Sequence, residues 1–309
     1  SHGMLFWRSF THWIGGMGVL VFILAILPLA GGENMHLMKA ESPGPSVGKL
    51  VPKLRKTAFY LYAIYFIMTI VEIVLLLIFK MPLFDAVCIS MGTAGTGGFG
   101  ILNTSLGSYS RAIKTIVTIF MLLFGVNFSF YFLIVMRKFK DAFKMSEVRW
   151  YFAIFAFVSL VIAFNVTSVS GSFIENLYES TFAVSSVMTT TGFSTVDFNK
   201  WPELSRILLV IIMFSGACAG STGGGIKISR LIIYFKSTLK ELSSLTHPRS
   251  VKVINIDGKP VERSVLNSAM IFLIAYVFIY VVSVVIVSLD NFDLITTFTA
   301  VAATFNNIG

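Results

Sequence analysis

The 309-residue chain is 56% hydrophobic and 13% charged, with a mean hydropathy of +0.83, which excludes an ordinary soluble domain and marks a polytopic membrane protein. Its net charge of +9 does not point to nucleic acid, because the basic residues gather between apolar segments. Lys39, Lys49, Lys53, Arg55 and Lys56 fill one such loop, Arg137, Lys138, Lys140, Lys144 and Arg149 a second, and Lys227, Arg230, Lys236, Lys240, Arg249, Lys252, Lys259 and Arg263 a third. The positive-inside rule makes these loops cytoplasmic, and places Ile101 to Ser110, Ser194 to Glu203 and Ser288 to Asp293 outside.

In chain order, apolar stretches run from Trp13 to Ala30, Ala58 to Phe79, Ala112 to Met136, Tyr151 to Val169, Leu204 to Ser215 with a continuation after the glycines, and Val265 to Ser288. Most meet the roughly 20 residues a membrane helix needs. Between them lie three shorter segments that end in Gly/Thr-rich turns: Leu83 to Gly100, Leu177 to Thr195 and Leu294 to Gly309. Each opens on about 10 to 14 apolar residues, too few to cross, and reads as a re-entrant half-helix. The repeating unit is span, half-helix, Gly turn, span. Arg8, Arg111 and Arg206 stand in the same relation to the spans that begin near Trp13, Ala112 and Leu204, and projecting back from Arg8 puts a further turn before Ser1. The expectation is therefore a piece of a four-repeat protein, all-α, around a central pore. Its parts are 1–38 (second helix of repeat 1), 39–144 (repeat 2, turn 96–100), 145–245 (repeat 3, turn 190–194 and glycine-rich loop 216–225), a cytoplasmic hairpin at 246–263, and 264–309 (repeat 4). Internal repetition around a midplane site is a common transporter plan.

The turns Thr96-Gly97-Gly98-Phe99, Thr190-Thr191-Gly192-Phe193 and Asn307-Ile308-Gly309 each place glycine at a half-helix end, where φ > 0 is tolerated and carbonyls can turn toward an axis. Rings of such carbonyls replace the hydration shell of a monovalent cation. The turns carry no carboxylate of the kind a divalent site would want. The stretch Gly216-Ala217-Cys218-Ala219-Gly220-Ser221-Thr222-Gly223-Gly224-Gly225 interrupts an apolar helix. Such a break survives at membrane depth only where protein covers it or it lines a water-filled path.

These residues also resemble a family. The run Phe6-Trp7-Arg8-Ser9-Phe10-Thr11-His12-Trp13-Ile14-Gly15-Gly16-Met17-Gly18, the three turns, Gly220 to Lys227, and His247-Pro248 with Asp257-Gly258-Lys259-Pro260 resemble the Trk/Ktr potassium-transporter family, most closely the TrkH type, across essentially the whole chain. The resemblance implies four repeats around one pore and a potassium-selective filter whose glycines are Gly98, Gly192 and Gly309. It implies an intramembrane gating loop at 216–225, K+ as the transported ion and no covalent cofactor. It also implies a homodimer in the bacterial inner membrane, bound to a cytosolic nucleotide-binding regulatory subunit (TrkA/KtrA-like). The family's sodium-permeable members carry serine at the first filter, a position outside this sequence. A ring lacking one quarter is not expected to conduct. The rival readings are a sodium-permeable or mixed monovalent cation transporter and a non-transporting membrane regulatory subunit. An enzyme is disfavoured, since no catalytic or metal-ligand spacing occurs, and Gly220 to Lys227 lacks the G-K-[ST] of a P-loop.

Five further readings concern individual residues and short segments. Glu72, inside a span, is either a pathway residue or the partner of a polar neighbour. Glu175 and Glu179 suit the positive end of the second half-helix, either as capping charges alone or also as charges that draw cations to the mouth. Arg8, Arg111 and Arg206 read as interfacial anchors, and Phe120 to Phe132 as lipid-facing and packing surface. Asp257-Gly258 predicts a hairpin between Val251 to Ile256 and Val261 onward. Its basic surroundings suit the regulatory subunit or anionic lipid.

Overall fold

A computed structural model describes residues 2–30, 54–246 and 253–308. Its helices are α1 (His2–Ala30), α2 (Leu54–Ile78), α3 (Leu83–Ala94), α4 (Arg111–Phe124), α5 (Phe128–Val135), α6 (Phe139–Lys144), α7 (Ser146–Ser170), α8 (Phe173–Met188), α9 (Glu203–Ser215), α10 (Ile228–Thr246), α11 (Arg263–Val287) and α12 (Leu294–Phe305). A two-stranded ribbon, β1 (Asn255–Ile256) and β2 (Lys259–Pro260), is the sheet structure among the described residues. Among the described residues, three helical stretches, Phe59–Ile78, Ser146–Val169 and Arg263–Asp290, are long and apolar enough to cross a membrane.

The stretch expected to span from Ala112 to Met136 is not one helix. It breaks after Phe124, and α4 and α5 meet at 88°. Gly125 ends α4, and the Asn127 side chain caps α5 by accepting the Ser129 amide at 2.9 Å. A lone glycine in an apolar run lowers helix preference by only about 1 kcal/mol, so the break is hard to see in sequence. The second half-helix, α8, has 16 residues and starts at Phe173 rather than Leu177. It can start there because Gly171, at φ 75°, closes α7 and turns the chain straight back.

Apolar side chains gain little from leaving lipid, so packing and interhelical hydrogen bonds hold such a bundle together. Tyr65 donates to the Trp13 carbonyl at 2.8 Å, and Trp13 Nε1 to Thr69 Oγ1 at 3.1 Å, joining α1 to α2. Tyr65, Phe120, Phe124, Phe128 and Phe132 are buried in one cluster with α3, so this phenylalanine run is interior packing more than lipid surface. A second cluster joins α7 to α10 with the hairpin through Tyr151, Ile162, Val184, Ile212, Ile232 and Ile256. α11 is mostly exposed along its length, with Ile271, Ile274, Phe278 and Val285 on its surface. The hairpin turn has positive φ at both Asp257 and Gly258, the type I′ geometry that the Asp-Gly pair favours. Its ladder is shorter than expected, pairing Asn255 with Pro260 and Ile256 with Lys259; Val251 and Lys252 lie outside the described residues, as do His247 and Pro248.

Candidate ion path: three turns seated on one loop

Helices α3, α8 and α12 end in the same way. In each, the second amide beyond the cap reaches back five residues: Gly97 to the Gly92 carbonyl at 2.8 Å, Thr191 to Ser186 at 2.9 Å, and Ile308 to Ala303 at 2.8 Å. The preceding amide bonds three residues back, Thr96 to Thr93, Thr190 to Val187 and Asn307 to Thr304. This is the Schellman motif, which requires its middle residue in the left-handed region. Thr96, Thr190 and Asn307 take that place at φ 50°, 58° and 59°. Two residues later the chain turns left-handed again at Gly98 (φ 65°) and Gly192 (φ 95°); Gly309 lies outside the described residues.

The turns are also brought together. Gly98 lies against Thr191 and Gly192 of the next turn. Thr96, Thr190, Thr191 and Ile308 are buried, and Asn307 is exposed. The two phenylalanines that follow diverge. Phe193 is buried in the core beside Gly92, whereas Phe99 is 44% exposed and stacks on His12 at 5.3 Å. His12 also presses on Gly97, and its carbonyl sits over Gly95, so α1 backs the first described turn.

Beneath the turns runs the loop 216–225. Its neck is closed by two glycines in contact: a Cβ on Gly225 would lie 2.7 Å from the Gly216 Cα, and both have positive φ. The loop touches every turn. Thr96 Oγ1 donates to the Thr222 carbonyl at 3.1 Å, and the Gly224 amide donates to Thr190 Oγ1. Gly223 lies under the Thr189 carbonyl, and Gly224 under that of Asn306. Asn306 is itself held by the Tyr276 hydroxyl. Lys227 folds back to donate to the Gly223 carbonyl, and Ser221 Oγ donates to that of Cys218 at 2.6 Å.

The α4–α5 corner and the loop complete each other's backbones. The Cys218 amide donates to the Gly125 carbonyl at 3.0 Å, the Thr222 amide to Phe124 at 3.4 Å, and the Phe128 amide to Gly220 at 2.9 Å. Irregular backbone at membrane depth needs such cover.

Several single-residue readings change. Arg8 donates to the carbonyls of Phe99 (3.3 Å) and Gly100 (2.8 Å) and lies over the Phe99 ring, so it braces the chain leaving the first described turn rather than serving only as an interfacial anchor. Arg111 sits over the Tyr178 ring, and Arg206 pairs with Glu203. Glu175 lies in the first turn of α8, but Glu179 instead accepts from Thr195 at 2.5 Å, tying α8 to the segment beyond its turn. Glu72 is fully buried beside Thr93 of α3. Tyr109, in the segment before α4, donates to Asp85 at 2.8 Å, and burial followed by that carboxylate pushes its phenol up.

One residue that sequence reasoning passed over is Glu147. It is buried, and Oε1 accepts the Ala219 amide at 2.6 Å and the Ser229 amide at 3.1 Å, while Oε2 accepts from Asn127 at 3.2 Å. Its partners are mostly backbone amides, which carry no sequence signature.

The fold and these turns define a polytopic helical membrane protein built on re-entrant half-helices. The family described as TrkH, cation transport protein, matches residues 1–309, and the chain belongs to that family. It is 35% identical over 315 residues to the Trk system potassium uptake protein TrkH of Salmonella typhimurium, covering 100% of this chain and 65% of that protein. Against the Trk system potassium uptake protein TrkG of Escherichia coli K12 it is 35% identical over 313 residues, covering 99% and 64%. The crystal structure of the potassium transporter TrkH from Vibrio parahaemolyticus superposes with a TM-score of 0.85 at 32% identity, over 100% of this chain and 64% of that one. The chain thus spans slightly under two thirds of the length of these relatives.

Proposed function

We propose that the protein takes up potassium across the bacterial inner membrane, conducting the ion down its electrochemical gradient and catalysing no chemical reaction. The ion sites are the carbonyls of Thr96 to Phe99, Thr190 to Phe193 and Asn307 to Gly309, and the gate is the loop 216–225. The observation that carries this reading is the threefold identity of the turns, each with the same backbone bond five residues back and each touching one shared loop. A left-handed residue followed two places later by glycine presents successive carbonyls without side chains between them, the arrangement that replaces a monovalent cation's water. The names of the relatives support potassium as the ion. The repeat plan divides the chain at 38, 144, 245 and 263. The whole protein acts as a homodimer with a cytosolic nucleotide-binding subunit that meets the 246–263 hairpin.

The test is rubidium uptake by the full-length protein in cells lacking their own potassium uptake. Gly192→Ser is expected to lower potassium selectivity, and deletion of residues 220–225 to raise flux. Unchanged uptake in both variants would remove the pore reading and favour a non-transporting membrane subunit.

A further inference from the structure

Glu147 stands at the second residue of α7, is 8% exposed, and gathers three separate segments on one carboxylate. Ala219 belongs to the middle of the loop, Ser229 to the first turn of α10 beyond it, and Asn127 to the α4–α5 corner. The Asn127 oxygen is committed to the Ser129 amide, so its NH2 must face Glu147. The Lys227 charge acts on the same carboxylate. Charge-assisted bonds of this kind are roughly twice as strong as neutral ones, and a negative group suits the amide end of α10.

The residue before it meets the hairpin, which the positive-inside rule puts on the cytoplasmic side. The Ser146 amide donates to Asp257 Oδ1, at the hairpin turn, at 2.7 Å. Lys236 of α10 donates to the Asn255 carbonyl at 2.6 Å. Ile254, Ile256 and Val261 of the hairpin share a buried cluster with Val148, Ile232 and Cys218. Hairpin and loop therefore both bear on the first turn of α7, through adjacent residues.

We propose that Glu147 is a positioning residue that clasps the 216–225 loop beneath the turns, and that the cytoplasmic hairpin sets this clasp through Ser146. The inference deepens the reading of the loop as a gate. A cytoplasmic partner that draws on the hairpin would shift the start of α7 and with it the carboxylate on which the loop hangs.

Cys218, fully buried in the loop, reports the clasp without reference to flux. Its modification by N-ethylmaleimide is followed in membranes containing the full-length protein by mass spectrometry of its peptide, with Cys88, buried in α3, as internal control. In Glu147→Gln the remaining oxygen still meets two amides, but an NH2 now confronts the NH2 of Asn127. The expected result is about a tenfold faster reaction at Cys218, the size of one lost charged hydrogen bond, with Cys88 unchanged. Adding Asn127→Asp restores the donor–acceptor pair, keeps the Ser129 cap and returns the charge, and should bring the rate back to within about twofold of wild type. Asp257→Ala should speed the reaction to a lesser extent.

A residue that only braced the fold would not be rescued by exchanging amide and acid. Protection of Cys218 in Glu147→Gln, or failure of Asn127→Asp to restore it, overturns the clasp; an unchanged rate in Asp257→Ala overturns the hairpin's part. If Glu147→Gln alone does not accumulate, the double variant and Asp257→Ala decide. Faster labelling with unchanged rubidium flux leaves the clasp standing and removes the gate. Higher flux on deleting 220–225, with Glu147→Gln silent in both assays, does the reverse.

Discussion

The Thr190 hydroxyl accepts the Gly224 amide at 2.5 Å, so the turn that ends α8 is hydrogen-bonded directly to the loop 216–225. Thr190 is fully buried and left-handed, and its side chain is directed by a backbone that the Schellman motif fixes. Thr190→Val keeps the shape and removes the acceptor. Leaving the Gly224 donor unmet costs about 1–2 kcal/mol, a factor of roughly 5–30 in the seating of the loop. Rubidium flux through the full-length protein should rise, and equal flux in wild type and variant would show that the bond does not restrain the loop.

Gly98 is constrained twice over. A Cβ there would lie 1.7 Å from the Thr191 carbonyl oxygen, and its φ of 65° costs an L side chain about 1–2 kcal/mol by itself. Gly98→Ala must push two turns apart, and transport should fall at least tenfold while α7, which does not carry either turn, stays folded. Hydrogen exchange across Ser146 to Ser170 separates a displaced turn from an unfolded protein.

Gly224→Ala acts in the other direction. Its Cβ would come within 2.6 Å of the Asn306 carbonyl, a backbone atom that cannot step aside as a flexible side chain would. The loop must drop. Raised basal flux is expected, together with faster labelling of Cys218; a silent variant would place the contact's slack in α12.

A pH effect follows from Asp293, which caps α12. The Thr296 hydroxyl and amide hold its carboxyl below the ordinary range. A depressed carboxylate lends stability above its unfolded pKa and loses it as pH falls through the folded one. Asp293→Ala should therefore lower the melting temperature of the purified protein more at pH 7 than near pH 3. An equal loss at both would mean the cap is neutral in effect.

The half-helices and their glycines were legible because their signals are local: an apolar run too short to cross, then glycine where the chain turns left-handed. The threonines were not. Thr96 and Thr190 occupy left-handed positions that their β-branched side chains disfavour, and only the backbone bonds of the motif show why they are held there. Asn307, a residue type that tolerates this region, carried the one visible clue. The bend after Phe124 was hidden because a single glycine and an asparagine do not stand out in an apolar run. Glu147 was hidden for a different reason, since an amide at a helix break belongs to no residue type. The loop itself was conspicuous, as five glycines in an apolar helix must be, but its attachments became visible only in three dimensions.

The mutual closure of the α4–α5 corner and the loop has a consequence for opening. Phe124 and Gly125 offer carbonyls to Thr222 and Cys218, and Phe128 offers its amide to Gly220. A departing loop strips all of these at once, and hydrocarbon has nothing to give in return. Water is the remaining partner, and polar groups at an opened cavity recruit it. With the loop as the proposed gate, its displacement and the wetting of the passage are one event, and an osmolyte too large to enter should reduce flux in proportion to the water the open state takes in.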